Sequence, residues 1–420
     1  MTNWKRYIPE GTKDLLFEEC SKKINTINRL RSLYLRSGFE EVSTPTLEFY
    51  DVFHLDNLSI EQEKMYKLFD NTGRILVLRP DMTTPIARIA ATKLKEAPHP
   101  VRICYSGNIF MMNESWGGKF SEITQSGIEI LGSDSLKADS EVIITAITAL
   151  LSIGIKDFEI ELGQAEFFKS LVEDVIFDEE EIERLRKLVE NKNFARLREF
   201  VEENEDKLGK NAEALKNLPE LFGGIEVLER AKNFTDNKHA LLAIENIAKI
   251  YEKLDVIGLS RFVSIDLGMV QHINYYTGMT FRAYSRKVGT DILSGGRYDN
   301  LISEFGQNIP ATGFGINIDS IMCALKDDSI CNEFCDKYLI SYDEKYINVA
   351  YNLANKLRDC GYYAEISLIK EKENIIDYCK DKKIGMLVSI NCEDEVEIIN
   401  IKDKTCSNIS VLELFKALGE

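Results

Sequence analysis

Four polar clusters in this 420-residue chain carry residue types that do chemistry. LRPDMTTP (78–85) puts the carboxylate of Asp81 and the hydroxyls of Thr83 and Thr84 at a strand-to-helix junction. Gln125 and Glu129 stand four apart in a strand-like run, so their side chains share one face. Asn274-Tyr275-Tyr276-Thr277 sets two phenol hydroxyls ahead of another strand. Gly295-Gly296-Arg297-Tyr298-Asp299 reads as a glycine turn opening a helix. A pocket on which carboxylate, amide and phenol groups converge suits a small cationic or zwitterionic ligand. Glu129 can accept a hydrogen bond from an imidazole, and Asp81 can pair with an ammonium. Each group also has a structural reading. Asp81, for one, is placed to cap the helix that begins near Pro85.

Two other chemistries are poorly supplied. TGMT (277–280) is similar to the phosphate-cradling tetrapeptide of phosphoribosyltransferases. Such a loop needs an acidic pair just upstream to hold ribose hydroxyls, and here Asn274, Tyr275 and Tyr276 precede it. The nine cysteines are odd in number and form no CxxC pair. Cys331 and Cys335 stand four apart with no second pair or histidine nearby, so neither a metal nor any other cofactor is expected and the thiols read as reduced.

The elements that must position these clusters follow from patterning. Pro9-Glu10-Gly11-Thr12 is a turn, and Thr12 or Asp14 is expected to cap a helix running to about Ser37, with Gly38 as its C-cap. Phe39 to Glu48 reads as a strand interrupted by Pro45. Asn71-Thr72-Gly73 joins two short strands, 66–69 and 75–78, as a hairpin. A helix over 85–95, strands over 101–110 and 120–131, a helix over 140–151 and a strand over 158–162 come next. From about 166 to 250 the chain is helical and charged, with Asp178-Glu179-Glu180-Glu181 as an acidic helix start. Strands return at 262–267, 278–284 and 292–294, and a strand–helix unit covers 313–325. Residues 327–335 read as a linker. Beyond it, strands at 337–341, 362–367, 384–389 and 395–401 alternate with helices at 344–359, 373–382 and 410–418, the pattern of a small, mostly parallel α/β domain.

Composition limits the partners. Hydrophobic residues make up 44% and charged residues 29%, as in ordinary globular chains, and the length suggests two or three domains. The net charge is −17, from 52 Lys and Arg against 69 Asp and Glu. Nucleic-acid affinity rests on phosphate contacts, so this balance argues against tRNA as the main partner. The N-terminus has no apolar run, and the apolar stretch from Val142 to Ile155 is too short to span a bilayer. A cytoplasmic protein with no membrane partner is expected, and 142–155 is expected to be a core helix.

Taken in order, the segments resemble a class II aminoacyl-tRNA synthetase of the histidyl type. GFEEVSTPTLE (38–48) is similar to the first class II motif, which builds the dimer interface in that family. LRPDMTTP is similar to its LRPEGT segment, and Val101 to Gly132, ending in QSGIEILG, to its second motif region. INYYTGMTF (273–281) and GGRYDNL (295–301) resemble the two segments peculiar to histidyl enzymes, and GFGINIDS (313–320) sits at the third motif. The resemblance covers essentially the whole chain. It implies an α+β fold: an antiparallel class II sheet flanked by helices over 1–326, with the helical insertion at about 166–250. After the linker, 336–420 would form a small α/β domain similar to an anticodon-binding domain.

The departures carry the functional reading. In histidyl-tRNA synthetases, the arginine that contacts the ATP α-phosphate follows a phenylalanine; here Phe110 is followed by Met111. Further arginines of that loop are replaced by a stretch holding Glu114, Lys119 and Ser121. Gln271 stands where the arginine before the LDYY segment would be, and Ser320 where the third motif's arginine would stack on adenine. Losing one such donor costs about 2.7–4 kcal/mol of transition-state stabilisation, so losing three or four leaves no useful adenylation. The residues similar to the family's histidine contacts persist: Asp81 (one methylene shorter than the usual glutamate), Thr83, Gln125, Glu129, Tyr275 and Tyr276.

An amino-acid pocket kept while the ATP clamp is lost resembles the synthetase paralogues that serve as regulatory subunits of ATP phosphoribosyltransferase. That resemblance implies a non-catalytic chain in the first step of histidine biosynthesis, where ATP is joined to phosphoribosyl diphosphate. It implies a short catalytic subunit as partner, self-association as a dimer within a hetero-octamer of four chains of each kind, and L-histidine as feedback effector. The pocket and the interface with the catalytic chain both remain open as the histidine site. Many such paralogues lack a C-terminal domain, which this chain keeps, with 12 Lys and Arg against 16 Asp and Glu over 336–420. An active histidyl-tRNA synthetase would need the missing arginines, and an RNA-binding sensor on the same fold would need a basic stripe.

Overall fold

The apolar run from Val142 to Ile155 lies in and just beyond a helix, Leu136–Ser152, in which Val142, Ile143, Ala146, Ile147 and Leu150 are fully buried. Its start is set by Ser135, whose hydroxyl accepts the Ala138 N–H. This helix belongs to the larger of two compact units, Met1–Asp328 and Ser329–Glu420, in a computed structural model. The structure describes residues 4–54, 60–112, 120–173, 175, 177–270, 275–325, 337–369, 372–392 and 394–417. The expected linker, 327–335, and Gln271 therefore lie outside the described residues.

The larger unit contains twelve strands among its described residues. They are β1 (Glu40–Glu41), β2 (Leu47–Phe49), β3 (Lys67–Phe69), β4 (Ile75–Leu78), β5 (Val101–Phe110), β6 (Glu122–Leu131), β7 (Phe158–Gln164), β8 (Phe222–Gly223), β9 (Val263–Asp266), β10 (Met279–Ser285), β11 (Asp291–Arg297) and β12 (Ala311–Asn317). Nine of them form one sheet in the order β1-β5-β6-β12-β11-β10-β7-β9-β8. From β5 through β7 every neighbouring pair is antiparallel. Parallel pairs occur only toward the edges, β1 with β5 and β7 with β9. The remaining three strands form a small sheet, β2-β4-β3.

Local chemistry explains where elements differ from the sequence reading. The first helix spans Phe17–Arg36 and has no side-chain N-cap, because Thr12 Oγ1 donates instead to Pro9 O at 2.7 Å and closes the preceding turn. Gly38 ends it at φ +83°, a conformation that favours glycine. The stretch 39–48 is split by Pro45 into β1 and the start of β2, which join different sheets. Gly295 and Gly296 are not a turn; they lie inside β11. A Cβ on Gly295 would fall 2.4 Å from Gly313 O, and one on Gly296 2.7 Å from the Tyr276 ring. These glycines serve close approach across the sheet. Among its described residues, the stretch from Ala165 to Val256 is helical apart from β8 and short turns, and Asp178 and Glu181 form a capping box at Glu179–Glu190. Among the described residues, no helix is long and apolar enough to cross a membrane.

The smaller unit is a five-stranded sheet, β13 (Lys337–Tyr342), β14 (Tyr363–Ile366), β15 (Met386–Ile390), β16 (Glu395–Asn400) and β17 (Cys406–Ser410), in the order β14-β13-β15-β16-β17. β13 runs parallel to β14 and β15, whereas β15, β16 and β17 are antiparallel. β17 has no counterpart in the sequence reading. Its polar residues Cys406, Ser407 and Asn408 are exposed and show no alternation, and backbone pairing to β16 alone makes it a strand.

One buried ion pair ties the sheet to the helix Leu136–Ser152. Arg297, at the end of β11, places Nη2 2.7 Å from Asp139 Oδ1, and its Nη1 donates to Ser133 O and to Asp299 Oδ1, both at 3.0 Å. Asp139→Ala would leave a buried guanidinium with only the partly exposed Asp299 as its anionic partner, at a cost of up to about 3–5 kcal/mol. Denaturant unfolding of the variant at neutral pH is expected to show a loss of that order; a change below about 1 kcal/mol would mean that solvent reaches Arg297.

Candidate functional site

A cavity of about 380 Å³ opens on one face of the central sheet and is lined by all six residues singled out as a pocket, Asp81, Thr83, Gln125, Glu129, Tyr275 and Tyr276. Its floor is backbone. Gly313 of β12 faces Glu129 in register, and a Cβ there would sit 1.7 Å from Glu129 Oε2. A Cβ on Gly315 would sit 2.3 Å from Gln125 Nε2. Glycine at alternate positions of β12 thus leaves room for the long side chains of β6 to lie across the sheet. Gly127, between them, makes way for Tyr105, whose hydroxyl would be 2.6 Å from an added Cβ.

Glu129 is the centre of the arrangement. It is 1% exposed. Its Oε1 accepts from Thr83 Oγ1 at 3.1 Å, and its Oε2 from the Tyr298 hydroxyl at 2.5 Å. Burial, outweighing these two hydrogen bonds, pushes its pKa up to about 8. Burial also raises the pKa of Asp81. Asp81 does cap the helix Thr83–Thr92: Oδ1 accepts the Thr84 N–H at 2.7 Å and Oδ2 the Thr84 hydroxyl at 2.8 Å. A carboxylate has about four acceptor positions, so capping leaves Asp81 able to accept more within the cavity it lines. Tyr275 stacks on Tyr298 with centroids 5.5 Å apart and meets Tyr276 edge-on at 4.9 Å. Burial raises the phenol pKa of all three tyrosines, so the cavity wall holds them as neutral donors. Gln125 Oε1 is buried and has no hydrogen-bond partner among the described residues. An acceptor left unmade in this way is where a ligand N–H would bind.

The positions read as lost arginines divide. Met111 lines the cavity just beyond β5. Ser320 is buried in the first turn of the helix Ile318–Ala324, where its N–H is held by Asn317 Oδ1, and it does not line the cavity. Gln271, Glu114 and Lys119 lie outside the described residues. Arg79, in the LRPDMTTP segment, is buried and structural: it donates to Asn108 O, Thr44 O and Thr44 Oγ1. Of the further residues that line the cavity, Tyr298 and Lys64 bear most on its chemistry. Tyr298 stood next to a glycine pair read as a turn. Once those glycines are placed in β11, which ends at Arg297, the residue just beyond the strand, Tyr298, is carried to the cavity.

A buried acid with a raised pKa makes stability depend on pH in a defined direction. Between the unfolded carboxyl's ordinary value and about 8, the folded chain binds one proton more than the unfolded chain, so stability falls as pH rises. Glu129→Gln removes this dependence. The melting temperature of the variant relative to wild type is expected to rise from pH 5 to pH 8, by an effect on the order of a few kcal/mol. A difference that stays constant over that range would mean Glu129 is ionised throughout.

Residues 11–321 match the family model for histidyl-tRNA synthetase. A relative from Clostridium acetobutylicum, 53% identical over 92% of this chain and 96% of its own length, is named as an ATP phosphoribosyltransferase regulatory subunit. A Bacillus cereus protein of the same name is 41% identical over 95% of each chain. Among solved structures, an ATP phosphoribosyltransferase regulatory subunit/histidyl-tRNA synthetase from Bacillus halodurans superposes with a TM-score of 0.83, at 30% identity, over 93% of this chain and 100% of that one. The histidyl-tRNA synthetase of a Nostoc species shares the fold, with a TM-score of 0.80 at 18% identity over 98% of each chain. With a synthetase-type sheet under its cavity and these relatives along nearly its whole length, the chain belongs to the family of ATP phosphoribosyltransferase regulatory subunits built on the histidyl-tRNA synthetase fold.

Proposed function

We propose that this chain is the non-catalytic partner of a short ATP phosphoribosyltransferase catalytic subunit, that it is needed for full activity of that subunit, and that it confers feedback inhibition by L-histidine. The observation that carries the reading is the lining of the cavity. It offers two carboxylates, that of Glu129 buried and that of Asp81 partly buried, an unpaired amide oxygen and three phenols, and among its described residues it has no arginine. Adenylation develops negative charge on phosphorus and needs cationic clamps, whereas recognition of an amino acid needs the groups that are present.

In this reading the imidazole of histidine lies against Glu129 and Tyr298, and its ammonium against Asp81, Thr83 and the free oxygen of Gln125. Tyr275 and Tyr276 close the wall. The chain acts in the cytoplasm, as dimers within a hetero-octamer, and tRNA is not its partner. Feedback arises if histidine binds one state of the complex better than another, and the coupling must then be reciprocal: substrates of the catalytic chain change the affinity for histidine.

The decisive assay mixes the purified chain with a short-form catalytic subunit and follows formation of phosphoribosyl-ATP. Activation of the partner, reversed by histidine, is the expected result. No activation with the cognate partner, together with ATP-dependent adenylation of histidine, would restore the synthetase reading. Glu129→Ala is expected to weaken histidine binding by about tenfold, as for a lost hydrogen bond to a buried ligand group. Unchanged affinity would move the effector site out of the cavity, toward the interface with the catalytic chain.

A further inference from the structure

The cavity as described is acidic: Asp81, Glu129 and Glu61 line it, and Lys64 is the one cation among its described lining residues. A zwitterionic ligand brings its own carboxylate, and a carboxylate entering a half-enclosed site beside other carboxylates needs a positive partner. The position is well defined for a lysine. Met65, next in sequence, is 1% exposed and packs with Phe53 and Val77. The backbone carbonyl of Lys64 accepts the Met112 N–H at 2.8 Å, which fastens the turn Gln62–Lys64 to the chain just beyond β5. The Lys64 side chain is 41% exposed, so it stands at the mouth, whereas Glu129 is at the floor. Its ammonium lies 3.0 Å from Glu61, whose side chain is 63% exposed. An ion pair that open to water holds its partners weakly, and an ammonium has three donors, so Lys64 keeps capacity for a second anion.

We infer that Lys64 binds the α-carboxylate of the effector and so sets the preference of the cavity for an intact amino acid over the matching amine or alcohol. The assignment rests on the reading of the cavity as the histidine site. It gives the ligand a direction: imidazole at the floor, ammonium beside the helix start, carboxylate at the mouth. It also explains how a site of this kind retains a carboxylate without an arginine among its described lining residues.

The test is calorimetric titration of the full chain with L-histidine and with L-histidinol, which keeps the imidazole and ammonium but replaces the carboxylate by a neutral alcohol. Wild type should bind histidine at least tenfold more tightly than histidinol. Lys64→Met should bring histidine down to the level of histidinol and leave histidinol unchanged, and Lys64→Arg should restore most of the difference. The half-exposed position makes all three proteins comparable in fold, which their melting temperatures check. Histidine binding by Lys64→Met at wild-type strength, or an equal loss for both ligands, would overturn the Lys64 assignment while leaving the histidine site standing. Failure of both ligands to bind wild type would overturn the histidine reading, and the assignment with it.

Discussion

A carboxylate cannot be buried against a β-sheet unless it is hydrogen-bonded, protonated or both, and the architecture around the cavity answers that constraint for Glu129. The residue sits near the end of β6, an interior strand of the nine-stranded sheet, and is almost fully buried at the cavity floor. Three elements converge on it. The helix Thr83–Thr92 sends Thr83 to one oxygen, the segment after β11 sends Tyr298 to the other, and β12 withdraws its side chain at Gly313. The site is therefore assembled by the same contacts that dock the first turn of that helix onto the sheet.

The glycines of β11 and β12 follow from the same geometry. In most strands a glycine weakens pairing and packing. Here three of them, Gly296, Gly313 and Gly315, clear one sheet face beneath the side chains of Tyr276, Glu129 and Gln125, while Gly295 makes room on the opposite face for Phe281 and Phe314. The ion pair and hydrogen bonds of Arg297 at the end of β11 fasten the glycine-rich strand to the buried helix Leu136–Ser152 and to the segment before it. The floor of the cavity is built on paired strands, and at its mouth Lys64 and Glu61 meet solvent.

Capping and binding are not alternatives at Asp81. Both carboxylate oxygens are engaged by Thr84, which holds the side chain in one orientation at the cavity wall. A group fixed in this way loses little further freedom when a ligand arrives. The shorter aspartate keeps close to its own helix start, whereas a glutamate would extend one methylene farther from it.

Much of this was legible in one dimension. The order of the polar segments determines the class of fold, and the spacing of Gln125 and Glu129 determines that they share a face, because side chains alternate along any strand. The helical insertion, the hairpin at Asn71–Gly73 and the buried helix near Val142 also follow from composition and period. Three things needed the tertiary structure. Gly295 and Gly296 look like a turn in sequence, because glycine marks turns and close approaches alike, and only the neighbouring strands distinguish the two. β17 has no hydrophobic alternation, since its pairing is made by backbone groups common to every residue. Lys64 carries no local sign of a site, and Tyr298, though it stands in one of the polar clusters, gives no sign that it meets Glu129: a residue becomes part of a cavity when distant strands bring its neighbours together, and that proximity is a property of the fold.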